Sequence, residues 1–269
     1  SMNGALGFKG WQLMFMLDAI AAILLGVFTF FYLNDRPEKN HWLKPEETSW
    51  LLDTLEKENI IKNAGVKTSI WRGLADKRVL TLAVVYFGSS AGLYSLNIWS
   101  PQFLKSFGLT TIQTGLINAL PAALSIIAMV SWARHSDKTR ERIWHVVAAC
   151  LLACAGFVVA GSVHTLGFAL LPLIMANIGI SSCKPPLWSI PSLLLNGPAA
   201  AAGLATINSI GNLGGFAGPA IIGWLRETTG NYSGSMYFIA GMLLVSAVLT
   251  LTIERHRKSP AHESSVSFK

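Results

Sequence analysis

Long apolar runs separated by short polar stretches make up most of the chain. Seven of these runs have the length of about 20 residues that a helix needs to cross a bilayer core of about 30 Å. They cover residues 11–33, 79–104, 112–133, 144–162, 166–195, 199–225 and 235–253. A membrane β-barrel would instead need repeated strands of about ten alternating residues, and no such alternation is visible. The pattern therefore predicts an all-α integral membrane protein with seven transmembrane helices.

One long polar segment, residues 34–78, separates the first run from the other six. Within it, Pro45 is followed by the acids Glu46 and Glu47 and then by apolar residues at helical spacing. This order is typical of the start of an amphipathic helix, and we expect that helix to lie against the bundle. The layout is thus one helix, a polar linker and then a unit of six closely spaced helices. A unit of six helices after a long central loop is half of a known transporter layout.

The composition and the charge agree with a membrane protein. Of the 269 residues, 52% are hydrophobic and only 13% are charged, and the mean hydropathy is +0.47, which departs from the balance of soluble domains. The net charge of +7 comes from basic residues gathered in 34–78, in 134–142 and in the tail from 255. Because basic residues remain on the cytoplasmic side of short loops, we expect the first span to start outside and the C-terminus to be cytoplasmic. The charge excess thus indicates topology and not nucleic-acid binding.

Polar side chains inside the spans are the candidate functional residues. In the fifth span they gather on one face of the helix. Five residues share an arc of about 80° on a helical wheel: Asn177, Ser181, Lys184, Trp188 and Ser192. We expect this face to meet water or a partner, and we expect Pro185, Pro186 and Pro191 to loosen the helix because proline lacks an N–H. Lys184 would attract a carboxylate substrate; the alternative is that it snorkels to the nearby cytoplasmic interface.

Two other spans carry polar faces. In the second span the cluster consists of Tyr86, Ser90, Tyr94 and Asn97. In the sixth span one stripe contains Asn208, Asn212 and Gly215, and the neighbouring stripe contains Gly211, Gly214 and Gly218. Glycines allow a neighbouring helix to approach closely, whereas asparagine donates and accepts hydrogen bonds toward a substrate. The alternative for these polar residues is hydrogen bonding between helices.

The acidic residue inside a span, the cysteines and the histidines decide whether the chain could hold another kind of functional site. Asp18 is the only carboxylate at membrane depth, where a charge is costly and marks a functional site, unless it fixes helix packing instead. Cys150, Cys154 and Cys183 fall in apolar spans and are interpreted as small buried hydrophobic residues. The histidines are scattered in loops or at span ends: His41, His135, His145, His164, His256 and His262. Without a nucleophile, base or ligand cluster at depth, we expect no enzyme, no cofactor and no metal site.

Four segments resemble a known family. They are residues 10–19 (GWQLMFMLDA), 31–47 (FYLNDRPEKNHWLKPEE), 187–191 (LWSIP) and 199–230, which contains INSIGNLGGFAGP. On these segments the chain resembles the C-terminal part of major facilitator superfamily transporters, specifically the anion:cation symporter family. The stretch NIWSPQ at 97–102 is most similar to 4-hydroxyphenylacetate permease-like members, with tartrate permease-like members next.

The resemblance implies a domain organisation. Residues 1–33 correspond to the sixth family helix, 34–78 to the cytoplasmic central linker, 79–254 to the C-terminal six-helix half and 255–269 to a cytoplasmic tail. The first five family helices, which carry the residues for proton coupling and anion binding, have no counterpart in this sequence. We therefore expect a truncated gene product, a fragment of a longer chain or a partner that needs another half; in each case the N-terminal helices are missing.

The resemblance also assigns roles to a loop and to Asp18. In ARHSDKTRER, residues 133–142, the positions Asp137, Lys138 and Arg140 match the superfamily's cytoplasmic gate motif, although Ala133 replaces its leading glycine and its later glycine is absent. The family has Glu-Gly where Asp18 and the following alanine stand. Asp18 is thus a candidate proton site or a structural carboxylate.

The function implied is H⁺-coupled symport of a small organic carboxylate by alternating access across the inner membrane of a bacterial-type cell. Lys184 would be the anion partner and Trp188 would stack on the substrate, which hydrogen-bonding side chains would surround: Tyr86, Ser90, Asn97, Asn208 and Asn212. The alternatives are a drug/H⁺ antiporter of the same superfamily and a structural membrane fragment that does not transport. The partners expected are the lipid bilayer, the carboxylate and H⁺.

Overall fold

The structure is a computed structural model that describes residues 7–34, 37–39, 43–63, 70–163, 165–194 and 197–257. The described residues form helices and connecting turns without a strand. The α-helices are α1 (Gly10–Tyr32), α2 (Pro45–Asn63), α3 (Ile70–Ala75), α4 (Lys77–Lys105), α5 (Thr111–Thr139), α6 (Ile143–Ser162), α7 (Leu166–Leu194), α8 (Gly197–Thr229) and α9 (Ser233–Arg257). A short 3-10 helix, Pro37–Lys39, follows α1. The predicted all-α class is confirmed.

Six of the described helices are long and apolar enough to cross a membrane, namely α1, α4, α5, α6, most of α7 and α9. They correspond to six of the seven predicted spans. The seventh, α8, has 33 residues and therefore the length to cross, but it does not reach the same hydropathy because glycines and two asparagines interrupt its apolar run. The chain is a multi-pass helical membrane protein.

The chain divides into two compact units, Ser1–Gly65 and Val66–Lys269. In the first unit, none of the residues of α1 is buried. Helix α2 begins at Pro45 as predicted, and the backbone N–H of Lys44 donates to Glu47 Oε2 at 2.9 Å, which caps the helix start. Trp50 and Leu55 on α2 remain exposed. The predicted packing of this helix against the bundle stays a prediction.

In the second unit, α4 packs on α8 and α9, while α6 packs on α7 and α9 and α5 packs on α7. Helices α4, α6 and α8 run in one direction and α5, α7 and α9 in the other. We call the end with Lys77, Thr139 and Ile143 the linker end, and the end with Lys105 and Ser162 the loop end. Two clusters of buried residues fill the unit.

The contact between α6 and α7 is close because glycines form it. A Cβ at Gly156 would lie 2.6 Å from the backbone N of Ala176, and one at Gly179 would lie 2.5 Å from the backbone N of Ala153. In the same contact, the Sγ atoms of Cys150 and Cys183 lie 3.7 Å apart and both residues are buried. These two cysteines are small buried residues, as predicted, and Cys154 is half-buried.

The prolines of α7 do not have the predicted effect. Helix α7 contains Pro172, Pro185, Pro186 and Pro191, yet it stays α-helical throughout Leu166–Leu194. The expectation of a loosened helix is therefore wrong for this structure. Each proline still removes one backbone N–H donor, so α7 continues through these positions with fewer backbone hydrogen bonds.

Candidate functional site

The glycine stripe of α8 seats this helix directly on α4. A Cβ at Gly218 would lie 2.7 Å from the carbonyl oxygen of Ala91. A Cβ at Gly214 would overlap the carbonyl oxygen of Phe87, and one at Gly211 would overlap the ring of Tyr86. Real side chains do not make such contacts, so only glycine permits this helix separation. The predicted close approach along the glycine stripe is confirmed.

This contact fixes Tyr86 at the meeting point of three helices. Its ring lies across Gly211 of α8 and meets the ring of Trp188 of α7 edge-on, with the centroids 4.9 Å apart and an interplanar angle of 70°. Both aromatic residues are half-buried. The structure thus brings together two of the predicted site residues, which lie about 100 positions apart in the sequence.

Asn208 and Asn212 form a hydrogen-bonded pair one turn apart on α8. Nδ2 of Asn212 donates to Oδ1 of Asn208 at 2.7 Å, and both side chains are exposed. An amide group has two N–H donors and one carbonyl acceptor. Among the residues that the structure describes, the pair therefore keeps one N–H on Asn212 and both on Asn208 for a further acceptor. Asn212 follows Gly211 directly on α8, so its side chain is turned by about 100° from the face that meets the Tyr86 ring.

Lys184 lies on α7 one turn before Trp188 and is half-buried. Within the described part of the chain it makes no hydrogen bond and no ion pair. A cation within a membrane-spanning helix is costly and calls for a counter-charge or for water. Lys184 is thus an uncompensated positive charge beside the Tyr86–Trp188 pair.

Other predicted residues lie apart from this group. Ser90 is only 2% exposed, so its hydroxyl lies inside the helix packing and not on an accessible face. Asn97 is exposed, but it follows Tyr86 by eleven positions, which separates the two by about 16 Å along α4. On α7, the amide of Asn177 donates to the carbonyl oxygen of Leu173 in its own helix at 3.1 Å. The side chain of Ser192 is outside the described residues.

The predicted gate motif forms a local network between α5 and α6. Oδ1 of Asp137 pairs with Nη1 of Arg142 at 2.6 Å. Arg142 also donates to Oγ of Ser136, which in turn donates to the carbonyl oxygen of Glu141 at 2.8 Å. The side chains of the other two motif residues, Lys138 and Arg140, are exposed. Arg142 and Ser136 were not among the predicted gate residues, because the motif names the acid but not its partners within the hairpin.

Arg140 has the only left-handed backbone among the described non-glycine residues, with a φ of 55°. It ends α5, and its N–H donates to the carbonyl oxygen of Asp137 at 3.3 Å. A side chain in this region costs about 1–2 kcal/mol relative to glycine. The tight reversal brings Arg142 back onto Asp137.

The remaining ionisable candidates are Asp18 and a pair of histidines. Asp18 makes no hydrogen bond or ion pair within the described part of its own unit. His135 and His145, which the sequence placed separately, lie together at the linker end with Nδ1 and Nε2 2.8 Å apart. Across the described ranges, no group of three or more His, Cys, Asp or Glu could hold a metal ion.

Comparison with known proteins agrees with this architecture. The family model of the Major Facilitator Superfamily matches residues 2–219. Two proteins named putative tartrate transporter, both from Agrobacterium vitis, are 56% and 55% identical over 94% of this chain and over 58% and 56% of their own lengths. A quinolone resistance transporter from Acinetobacter baumannii is 33% identical over 94% of this chain and 58% of its own length. The chain thus spans little more than half the length of these relatives.

Proposed function

We propose, from the premise that the chain belongs to the Major Facilitator Superfamily, that it is part of a secondary active transporter of a small organic carboxylate. The relatives named as tartrate transporters support the substrate class, and the family excludes an enzyme. The observation that carries the proposal is the uncompensated Lys184 beside the Tyr86–Trp188 pair.

The substrate carboxylate would lie between α7 and α8. Lys184 supplies the charge, and the free N–H groups of Asn208 and Asn212 supply directed donors. Hydrogen bonds between a charged and a neutral group contribute about 1.5–3 kcal/mol each. The half-buried ring of Tyr86 would border the substrate carbons, because it already bridges the two helices.

Transport would proceed by alternating access. Because α8 and α4 touch through their backbones, the residues on both helices move as one body when the six-helix unit rocks against the N-terminal half. We assign coupling to H⁺ to the first five family helices and, as a candidate within this chain, to Asp18. The C-terminus and the gate residues Asp137, Lys138 and Arg140 would lie on the cytoplasmic side of the inner membrane.

One relative favours a second candidate function. The quinolone resistance transporter is one third identical to this chain, so drug/H⁺ antiport is the competing proposal. A cationic drug would not need Lys184, and repulsion between the two positive charges would weaken its binding.

The experiment uses this chain completed with the N-terminal helices of an Agrobacterium vitis relative, in proteoliposomes with an imposed pH gradient. We expect uptake of L-tartrate and no uptake of threitol, its uncharged analogue. Uptake that collapses with a protonophore supports H⁺ coupling. Gradient-driven movement of a quinolone without movement of tartrate would favour the antiporter, and movement of neither would contradict both transport functions.

A further inference from the structure

A cavity of about 450 Å³ opens at the loop end of the second unit, away from the proposed transport site. It lies between the ends of α4 and α6 and the loop that joins α8 to α9. Polar residues in its wall include Ser106, Arg226, Asn231 and Ser233. Its volume falls within the roughly 300–1,000 Å³ typical of small-molecule sites.

Aromatic rings hold Arg226 at the wall of this cavity. Its Cζ lies 4.7 Å from the ring centroid of Tyr232 and 5.6 Å from that of Trp99. Trp99 is itself fixed, because its Nε1 donates to the carbonyl oxygen of Pro219 at 3.2 Å. Tyr232 meets the ring of Phe103 edge-on, with the centroids 5.7 Å apart. The guanidinium group is thus positioned in advance and loses little freedom when it binds a ligand.

Most donors of this guanidinium group are free for a ligand. Nη1 of Arg226 donates to Oε1 of Gln102 at 3.3 Å. Its other N–H groups make no hydrogen bond, and no carboxylate pairs with it, among the residues that the structure describes. A planar guanidinium group with free N–H groups matches the geometry of a carboxylate.

The surroundings favour an anion. The charged residues that the structure describes at the loop end are Lys105, Arg226 and Glu227, which sum to one positive charge. Ser233 in the cavity wall is the first residue of α9, a helix of 25 residues. The N-terminus of a helix carries a partial positive charge, which adds to that of Arg226.

We infer that this cavity is a second binding site, which takes a small carboxylate at the mouth of the transporter through Arg226. It is separate from the proposed transport site, because Arg226 follows Asn208 by 18 positions on α8, about 27 Å along the helix. The identity of the ligand rests on the proposed function, whereas the anion preference rests on the cavity itself.

The test measures L-tartrate binding to the full chain in neutral detergent, by ligand-observed NMR titration. All variants carry Lys184→Gln, which removes the cation of the proposed transport site. We expect Arg226→Gln to weaken binding about tenfold, Arg226→Lys to weaken it less, and threitol not to bind. Binding should also weaken as the salt concentration rises.

Glu227→Gln provides a test in the opposite direction. Removal of this neighbouring acid should tighten tartrate binding about twofold. It also decides the question if Arg226→Gln does not fold. Unchanged affinity in Arg226→Gln, or unchanged or weaker affinity in Glu227→Gln, overturns the inference.

The result is distinguishable from failure of the proposed function. Binding that depends on Arg226, together with absent tartrate transport in the completed protein, would refute carboxylate transport and keep the anion site. Transport that depends on Lys184, with no binding that depends on Arg226, would refute the anion site and keep carboxylate transport.

Discussion

The close contact between α4 and α8 gives a graded prediction, because a single methyl group must separate the two helices. At Gly214 the added Cβ of alanine overlaps a backbone carbonyl oxygen of α4, which cannot rotate away. At Gly218 the nearest atom, also a carbonyl oxygen, lies at 2.7 Å. At Gly241 on α9, no atom lies within 4 Å of the added Cβ. Gly241→Ala is therefore the matched control.

The magnitude follows from the required displacement. Ordinary contact begins near 3.4 Å, so Gly218→Ala must move α8 from α4 by about 0.7 Å, and Gly214→Ala must move it further. A gap of about 0.5–1 Å forfeits a quarter to a half of the dispersion attraction of the atoms involved. We expect Gly214→Ala to destabilise the chain by about 2–3 kcal/mol and Gly218→Ala by about 1–2 kcal/mol. Gly241→Ala should be neutral or stabilising by up to about 1 kcal/mol, the helix propensity of alanine over glycine.

The assay is thermal unfolding in detergent with a thiol-reactive fluorogenic dye. Cys150 and Cys183 are buried between α6 and α7, so unfolding of the bundle exposes them to the dye. The Tm should fall most for Gly214→Ala, less for Gly218→Ala and not at all for Gly241→Ala. Equal Tm values for Gly214→Ala and Gly241→Ala would refute the backbone contact between α4 and α8.

Two further predictions concern the ends of α4 and α5. Arg140→Gly should stabilise the α5–α6 loop by about 1 kcal/mol, because it relieves the left-handed backbone; a lower Tm would contradict this. Asp76 accepts hydrogen bonds from the backbone and side chain of Arg78, and the side-chain bond holds the pKa of its carboxyl below the usual 3.8. Its stabilisation is therefore present above the unfolded pKa and is lost as the pH falls through the lower folded pKa. Asp76→Ala should cost about 1 kcal/mol at pH 7 and less at a pH below the folded pKa; a cost independent of pH would contradict the assignment.

The lengths of the apolar runs predicted most of the helices, because a helix that crosses a bilayer core needs about 20 apolar residues. Helix α5, Thr111–Thr139, nevertheless extends beyond the predicted 112–133, since its last turns are polar and continue past the apolar run. The glycine stripe of α8 was predictable because helical spacing alone places Gly211, Gly214 and Gly218 on one side. What the stripe would touch depends on tertiary packing, and so does the burial of Ser90, which sequence pattern alone could not foresee.

Contacts that depend on reversals of the chain direction could not be predicted from the sequence. The pairing of Asp137 with Arg142 needs the left-handed turn at Arg140, and no residue there signals such a turn. The stacking of Arg226 on Tyr232 likewise needs the α8–α9 turn, where Gly230 has a φ of +72°. Such pairs lie close in sequence but on different elements, so helical periodicity does not report them.

The most direct test of the central claim is the kinetics of tartrate uptake by the completed protein with Lys184→Gln. Lys77→Gln, which removes an exposed lysine of the same unit, is the control. We expect Lys184→Gln to raise the KM for tartrate at least about tenfold, as the loss of a charge-assisted contact implies, while Lys77→Gln leaves it unchanged. Uptake with the same KM in both variants, at equal protein levels in the membrane, would contradict carboxylate recognition by Lys184.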